Sequence, residues 1–135
     1  MHDFTGKAAL VTGAGSQHGI GRAVAMRLAQ GGADVIVSDL VERPYPEQTP
    51  DWAGLPQTVQ DMQALGRRAG AVLADVTDAA QVDRLVSETI ARLGRLDILV
   101  HCAASIPGPD RTLVVDLDEQ VWNTVQRINV TGTFL

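Results

Sequence analysis

Apolar positions along this chain switch between the continuous or two-residue spacing of strands and the near-four-residue spacing of helices. Ala8-Ala9-Leu10-Val11 is an apolar run that reads as a first strand. Beyond a glycine-rich turn, Ile20, Val24 and Leu28 recur every fourth residue, and this helical face stops at Gly31-Gly32. Asp34-Val35-Ile36-Val37-Ser38-Asp39 has a β-branched centre and predicts a second strand with a carboxylate at its end. From Glu42 to Pro56 no period holds, and four of fifteen residues are proline, which predicts an irregular connection. A helix follows from Gln57 to Leu65, with Val59, Met62 and Leu65 on one side and Gly66 as its stop. Ala71–Asp75 reads as strand three. Asp78 followed by Gln81 has the pattern of a capping box, and Val82, Leu85, Val86, Ile90 and Leu93 form an apolar stripe up to Gly94. Leu96–Cys102 is apolar almost throughout, as a strand buried on both faces would be. Asp118 can cap a last helix carrying Trp122, Val125 and Asn129.

This alternation predicts an α/β fold: a doubly wound parallel sheet of Rossmann type, with strands one and four at its centre. The expected sheet is truncated after the fourth strand and its following helix. The 135 residues suit one domain, residues 1–135, read as the N-terminal part of a longer one. A formal charge of −5 without Lys/Arg clusters makes nucleic acid a poor partner. No basic-then-apolar leader opens the chain and no run approaches the roughly 18 apolar residues of a membrane span, so neither secretion nor membrane association is expected. One cysteine forms no internal disulfide, which fits a cytoplasmic location.

The chemistry begins at Thr12-Gly13-Ala14-Gly15-Ser16-Gln17-His18-Gly19-Ile20-Gly21, where strand one turns into a helix. A backbone that turns sharply and approaches a pyrophosphate needs residues without Cβ, and the helix N-terminus supplies amide donors and a favourable dipole. Gly13, Gly19 and Gly21 meet those needs. Asp39, at the end of strand two, can accept both ribose hydroxyls of an adenosine and repels a 2′-phosphate, which favours NAD over NADP. Arg43 and His18 are the cations that could instead attract that phosphate.

Read from Gly13, the loop departs from the common G-x-G-x-x-G pattern, because His18 stands at the third glycine position. It resembles the T-G-x-x-x-G-x-G signature of short-chain dehydrogenases/reductases, with two extra residues between Gly13 and Gly19. Asp75-Val76 is similar to that family's Asp-Val step at the adenine edge. Leu96-Asp97-Ile98-Leu99-Val100 resembles its strand leading into Asn-Asn-Ala-Gly, and Arg127-Ile128-Asn129-Val130-Thr131-Gly132 its asparagine-containing helix. The resemblance covers essentially this whole chain and about the first half of a usual member. It implies that Gly13, Ser16, His18, Gly19, Ile20, Gly21, Asp39, Asp75, Val76 and Ala103 hold the dinucleotide. Asn129 would support a water-mediated proton path, and the helix beginning near Asp118 would carry homo-oligomerisation.

Three departures qualify that resemblance. His101-Cys102-Ala103-Ala104 stands where Asn-Asn-Ala-Gly is usual; His101 and Cys102, adjacent on a strand, point to opposite faces and read as packing, not as a metal or redox pair, and no metal site is expected. The family's catalytic tyrosine, lysine and serine have no counterpart: Tyr45 and Lys7 are the one tyrosine and one lysine, far apart and in the wrong order. Arg43-Pro44-Tyr45-Pro46-Glu47 with Thr49-Pro50-Asp51 is similar to an insertion in NAD-dependent members linked to the redox carrier mycofactocin, in which the nicotinamide can be retained. A plain surface excursion is the simpler reading of it. The expected function is an NAD(P)-dependent oxidoreductase passing a hydride between nicotinamide and a small-molecule secondary alcohol or ketone. This chain would supply the cofactor-holding half and, lacking the tyrosine–lysine pair, be inactive alone. The alternatives are a non-catalytic dinucleotide-binding module and an inactive truncated fragment.

Overall fold

A computed structural model describes residues 3–106, 108 and 110–135. Strands β1 (Ala8–Thr12), β2 (Asp34–Asp39), β3 (Ala69–Leu73) and β4 (Ile98–Val100) form one parallel sheet in the order β3-β2-β1-β4. Helices α1 (Ile20–Gln30), α2 (Leu55–Ala64) and α3 (Ala79–Leu93) connect them. After β4 come a 3-10 turn at Val114–Asp116, helix α4 (Glu119–Gln126), a π-helical turn at Arg127–Thr131 and a short α5 (Gly132–Phe134).

The alternation of side chains along a strand divides the core in two. Ala9 and Val11 of β1 join Val35 and Val37 of β2 beneath α1 and α2, where Ala25, Leu28, Leu55 and Met62 close the layer. Ala8, Leu10, Ile36 and Val72 face the other way and are covered by Leu85 and Leu93 of α3. Helices therefore lie on both faces of the parallel sheet, the doubly wound arrangement expected from the sequence. Each fully buried leucine or isoleucine in these layers contributes about 1.5–3 kcal/mol.

Several boundaries differ from expectation, each for a local reason. Strand three begins at Ala69, not Ala71, because Arg68 is fastened to the start of β2: its backbone N–H and its Nε both donate to Asp34, at 2.9 and 2.8 Å. Helix α2 begins at Leu55, since Pro56 fits a first turn that requires no N–H. Gln81 does not close a standard capping box. Asp78 does cap α3, accepting from the N–H of Ala80 and Gln81, but the Gln81 amide accepts from Asp75 N–H and donates to Asp78 Oδ2. The largest difference is β4, three residues long where seven were expected. Among the described residues it pairs only with β1, which puts β1 and β2 inside this sheet and β4 at its edge, and Leu99 is 48% exposed. Among the described residues, no helix is long and apolar enough to cross a membrane.

Candidate dinucleotide site

The carboxyl end of β1 is held by backbone contacts that only glycine permits. Gly13 has φ +67°, and a Cβ there would sit 2.5 Å from the backbone of Cys102 and Ala103. Beside it the buried Thr12 hydroxyl accepts the N–H groups of Cys102 and Ala103, both at 3.3 Å. This tie uses only backbone donors on the β4 side, so it survives the replacement of Asn-Asn-Ala-Gly by His101-Cys102-Ala103-Ala104. Gly21 is buried, and a Cβ on it would run into the Gly13 carbonyl, so the start of α1 rests directly on the turn. Gly19, extended at the N-cap, offers no side-chain cap to the first-turn amides of α1. That is the arrangement in which a helix N-terminus receives an anion.

Asp39 closes the loop from the other side. Its Oδ2 accepts the Gly15 N–H and its Oδ1 the Leu40 N–H, each at 2.8 Å. A Cβ on Gly15 would lie 2.7 Å from Pro44 Cδ and 3.0 Å from Asp39 Oδ2, so this position too is closed to a side chain. Behind the loop lies a residue that sequence reasoning missed. Trp52 is 5% exposed, its indole N–H donates to the Gly15 carbonyl at 2.8 Å, and the Arg22 guanidinium stacks over its ring at 4.7 Å. Arg22 also pairs with Asp61 at 2.8 Å. The segment after β2 is thus packed against the glycine loop, not a free surface excursion. A tryptophan in an otherwise polar, proline-rich stretch was the available signal.

A cleft of about 750 Å³ opens at this end of the sheet, a size suited to a cofactor-sized ligand. Gly13, Ser16, Asp39, Asp75, Val76 and Ala103 line it together, as does Tyr45, whose φ of +56° is unusual for a bulky residue. His18, Gly19, Ile20, Gly21 and Asn129 lie outside its lining. His18 is exposed, and the Ile20 side chain is 77% exposed at the first position of α1. Asp75 is turned on itself: its Oδ1 accepts from both the N–H and the hydroxyl of Thr77 at 2.8 Å. Asn129 sits in the π-helical turn, where its Oδ1 accepts the Ser105 N–H at 2.8 Å and ties α4 to the segment after β4. The fully buried Ser38 hydroxyl, at the cleft wall, has no hydrogen-bond partner among the described residues.

Charge in the cleft is mainly negative. Asp39, Asp75, Asp110 and Asp118 line it against Arg127, which donates to the Thr77 carbonyl at 3.2 Å. Arg43 is engaged elsewhere, its Nη2 donating to the carbonyls of Pro46, Thr49 and Pro50. His101 lines a separate pocket of about 140 Å³ with Leu85 and Leu99, on the α3 side of the sheet. Burial pushes the Cys102 thiol above its ordinary pKa and keeps it protonated. Lys7 pairs with Asp97 at 3.8 Å at the opposite end of β1, so it and Tyr45 do not meet.

A parallel sheet with helices on both faces and a glycine turn at the carboxyl end of its first strand defines a Rossmann-like α/β protein. Residues 13–135 match the family model described as enoyl-(acyl carrier protein) reductase. The chain is 39% identical to (-)-trans-carveol dehydrogenase of Rhodococcus erythropolis, over 99% of this chain and 48% of that protein. It is 37% identical to cyclohexanol dehydrogenase of a Rhodococcus species, over 95% of this chain and 48% of that protein. A crystal structure of a short chain dehydrogenase from Mycobacterium smegmatis superposes with a TM-score of 0.82 at 35% identity, covering 99% of this chain and 52% of that one. The chain belongs to the short-chain dehydrogenase/reductase family, a family of oxidoreductases. It spans about half the length of the curated relatives it matches.

Proposed function

We propose that residues 1–135 form the N-terminal, NAD-holding part of an alcohol dehydrogenase or carbonyl reductase acting on secondary alcohols or ketones. The observation that carries this reading is Asp39, lining the cleft with each carboxylate oxygen already on a backbone N–H of the adenosine end. A carboxylate so held accepts ribose hydroxyls and repels a 2′-phosphate. The engagement of Arg43 with three carbonyls supports NAD over NADP, because it removes one of the cations that could have received that phosphate. The residues fit the group in another respect: Gly13, Gly15 and Gly21 have no room for a Cβ against Cys102–Ala103, Pro44 and the Gly13 carbonyl, so the turn stays tight and its backbone is bare toward the cleft at Gly13. When bound, the nicotinamide supplies the hydride acceptor or donor. Gly13 and Ser16 would hold the pyrophosphate, the uncapped start of α1 at Gly19-Ile20-Gly21 would give it amide donors with His18 beside them, and Asp75, Val76 and Ala103 would complete the walls. Asn129 steadies the backbone at Ser105, through which a proton path would pass. Proton transfer itself falls to residues outside this segment, since Lys7 and Tyr45 lie apart, and the segment alone is inactive. Self-association through α4 completes the reading, supported by Trp122, 50% exposed, and by the exposed Val114 and Val115 beside it.

The relatives named as carveol and cyclohexanol dehydrogenases support the substrate class. The test is NADH formation by the protein carrying this chain when it is offered cyclic secondary alcohols with NAD. Turnover with NAD is expected. Tight NAD binding without turnover of any secondary alcohol or ketone would favour a non-catalytic dinucleotide-binding module instead.

A further inference from the structure

We infer that Trp52 is a positioning residue for dinucleotide choice, acting through Gly15 on Asp39; this rests on the NAD reading above. Gly15 must be glycine because Pro44 and Asp39 occupy the space of its Cβ, and a glycine is the residue least able to hold its own dihedral angles. Two hydrogen bonds fix it instead. Its carbonyl accepts from the Trp52 indole at 2.8 Å, and its N–H donates to Asp39 Oδ2 at 2.8 Å. The first fixes the peptide plane after Gly15 and the second fixes the plane before it, so the indole and the carboxylate hold one flexible residue from both sides.

Trp52 is itself clamped. Asp51 and Ala53 on either side of it are exposed, yet its ring is buried under the Arg22 guanidinium. Arg22 is fixed in turn by Asp61, which also accepts from Gln57 at 3.0 Å, and it reaches the Gln17 carbonyl at 3.5 Å. The cluster spans α1, α2, the glycine loop and the segment after β2. It delivers a preset Asp39, with Oδ2 on Gly15 and Oδ1 on Leu40, to the cleft wall. Removing the indole N–H frees Gly15 and lets the carboxylate swing. A ligand with a 2′-hydroxyl then loses a preorganised acceptor, whereas one with a 2′-phosphate has no such hydrogen bond to lose.

The experiment uses the protein carrying this chain and measures NAD and NADP binding for wild type, Trp52→Phe, and a protein with β-(3-benzothienyl)alanine at position 52. The last keeps the bicyclic ring over Arg22 and lacks only the N–H donor, so it answers the question even where the phenylalanine variant does not fold. NAD affinity is expected to fall roughly five- to tenfold, the scale of one hydrogen bond, while NADP affinity stays within about twofold. In an Asp39→Ala background the effect on NAD disappears, because the residue through which Trp52 acts is gone. Equal weakening of both dinucleotides, no weakening of either, or an effect that persists without Asp39 overturns the inference while leaving the NAD reading intact. A wild-type protein that binds neither dinucleotide overturns both.

Discussion

The loop side of the sheet and the β4 side are built differently. Around β1 and β2 the core is closed on both faces, and the glycine loop, Asp39 and Trp52 are joined by backbone and side-chain hydrogen bonds near 2.8 Å. Around β4 only three residues pair with β1, Leu99 is 48% exposed, and Leu113, Val114 and Val115 are exposed one after another. The difference shows where specificity for the dinucleotide resides. In the function proposed above it is set by close backbone approach at Gly13 and by the carboxylate of Asp39, both on the β1–β2 side. The β4 side lines the cleft through Ala103, Ala104 and Ser105 and carries the Asn129–Ser105 tie.

The largest effect is expected at the tightest contact. Gly13→Ala must place a Cβ 2.5 Å from the backbone of Cys102 and Ala103 at a φ of +67°, and should lose about 3 kcal/mol or more of stability in denaturant unfolding. Gly19→Ala is the control in the same loop. Its nearest Cβ contacts are atoms of Ser16, the closest being Cβ at 3.1 Å, and its φ is −74°, so the loss should stay below about 1 kcal/mol. Equal losses would mean that loop geometry does not depend on backbone approach at Gly13.

A second contrast compares the two sides directly. Leu10→Ala removes a side chain 1% exposed and is expected to lose about 2–5 kcal/mol, whereas Leu99→Ala, at 48% exposure, should lose about 1 kcal/mol. Parallel denaturant titrations would read both, and a comparable loss at Leu99 would show that the β4 side is as well closed as the β1 side.

The smallest effect concerns pH. The Asp97 carboxyl is held below its ordinary value of 3.8, first by the hydrogen bond from Arg95 and then by the N–H of Ala8. A depressed carboxyl stabilises the fold above its unfolded pKa, and that contribution is lost as pH falls through the folded value. Thermal melts should therefore show wild type above Asp97→Asn at neutral pH, with the gap closing between about pH 5 and pH 2. A gap that widens on acidification would reverse the sign assigned to Asp97.

Much of the fold was legible because it rests on local periodicity, in the apolar runs of β1 and β2 and most of the stripe of α3. In α1 the spacing marked the helix but not its buried face, which is Gly21, Ala25, Leu28 and Ala29 with Ile20 77% exposed. Gly13 was legible because a sharp strand-to-helix turn demands glycine, and the place of Asp39 in the cleft because it ends β2 on the side to which the glycine turn leads. What escaped depends on partners remote in sequence. Trp52 meets a backbone carbonyl 37 residues away, and a carbonyl leaves no mark on the sequence. The length of β4 is set by its pairing with β1 over Ile98–Val100, and its own apolar run does not encode how far that pairing extends. Gln81 kept its place after Asp78 but turned its amide to Asp75, a choice fixed by the path of the chain before α3. The segment after β2 read as irregular, and so it is, yet Arg43 and Trp52 fold it onto the loop.

The most direct test of the account is the ratio of NAD to NADP affinity for wild type and Asp39→Ser, measured by calorimetric titration of the protein carrying this chain. Wild type should prefer NAD by at least about thirtyfold, and Asp39→Ser should lose most of that preference, as expected for about 2 kcal/mol of lost hydrogen bonding and relieved repulsion. A wild-type protein that binds NADP as tightly as NAD, or a preference untouched by Asp39→Ser, would contradict the assignment of Asp39 as the group that reads the ribose.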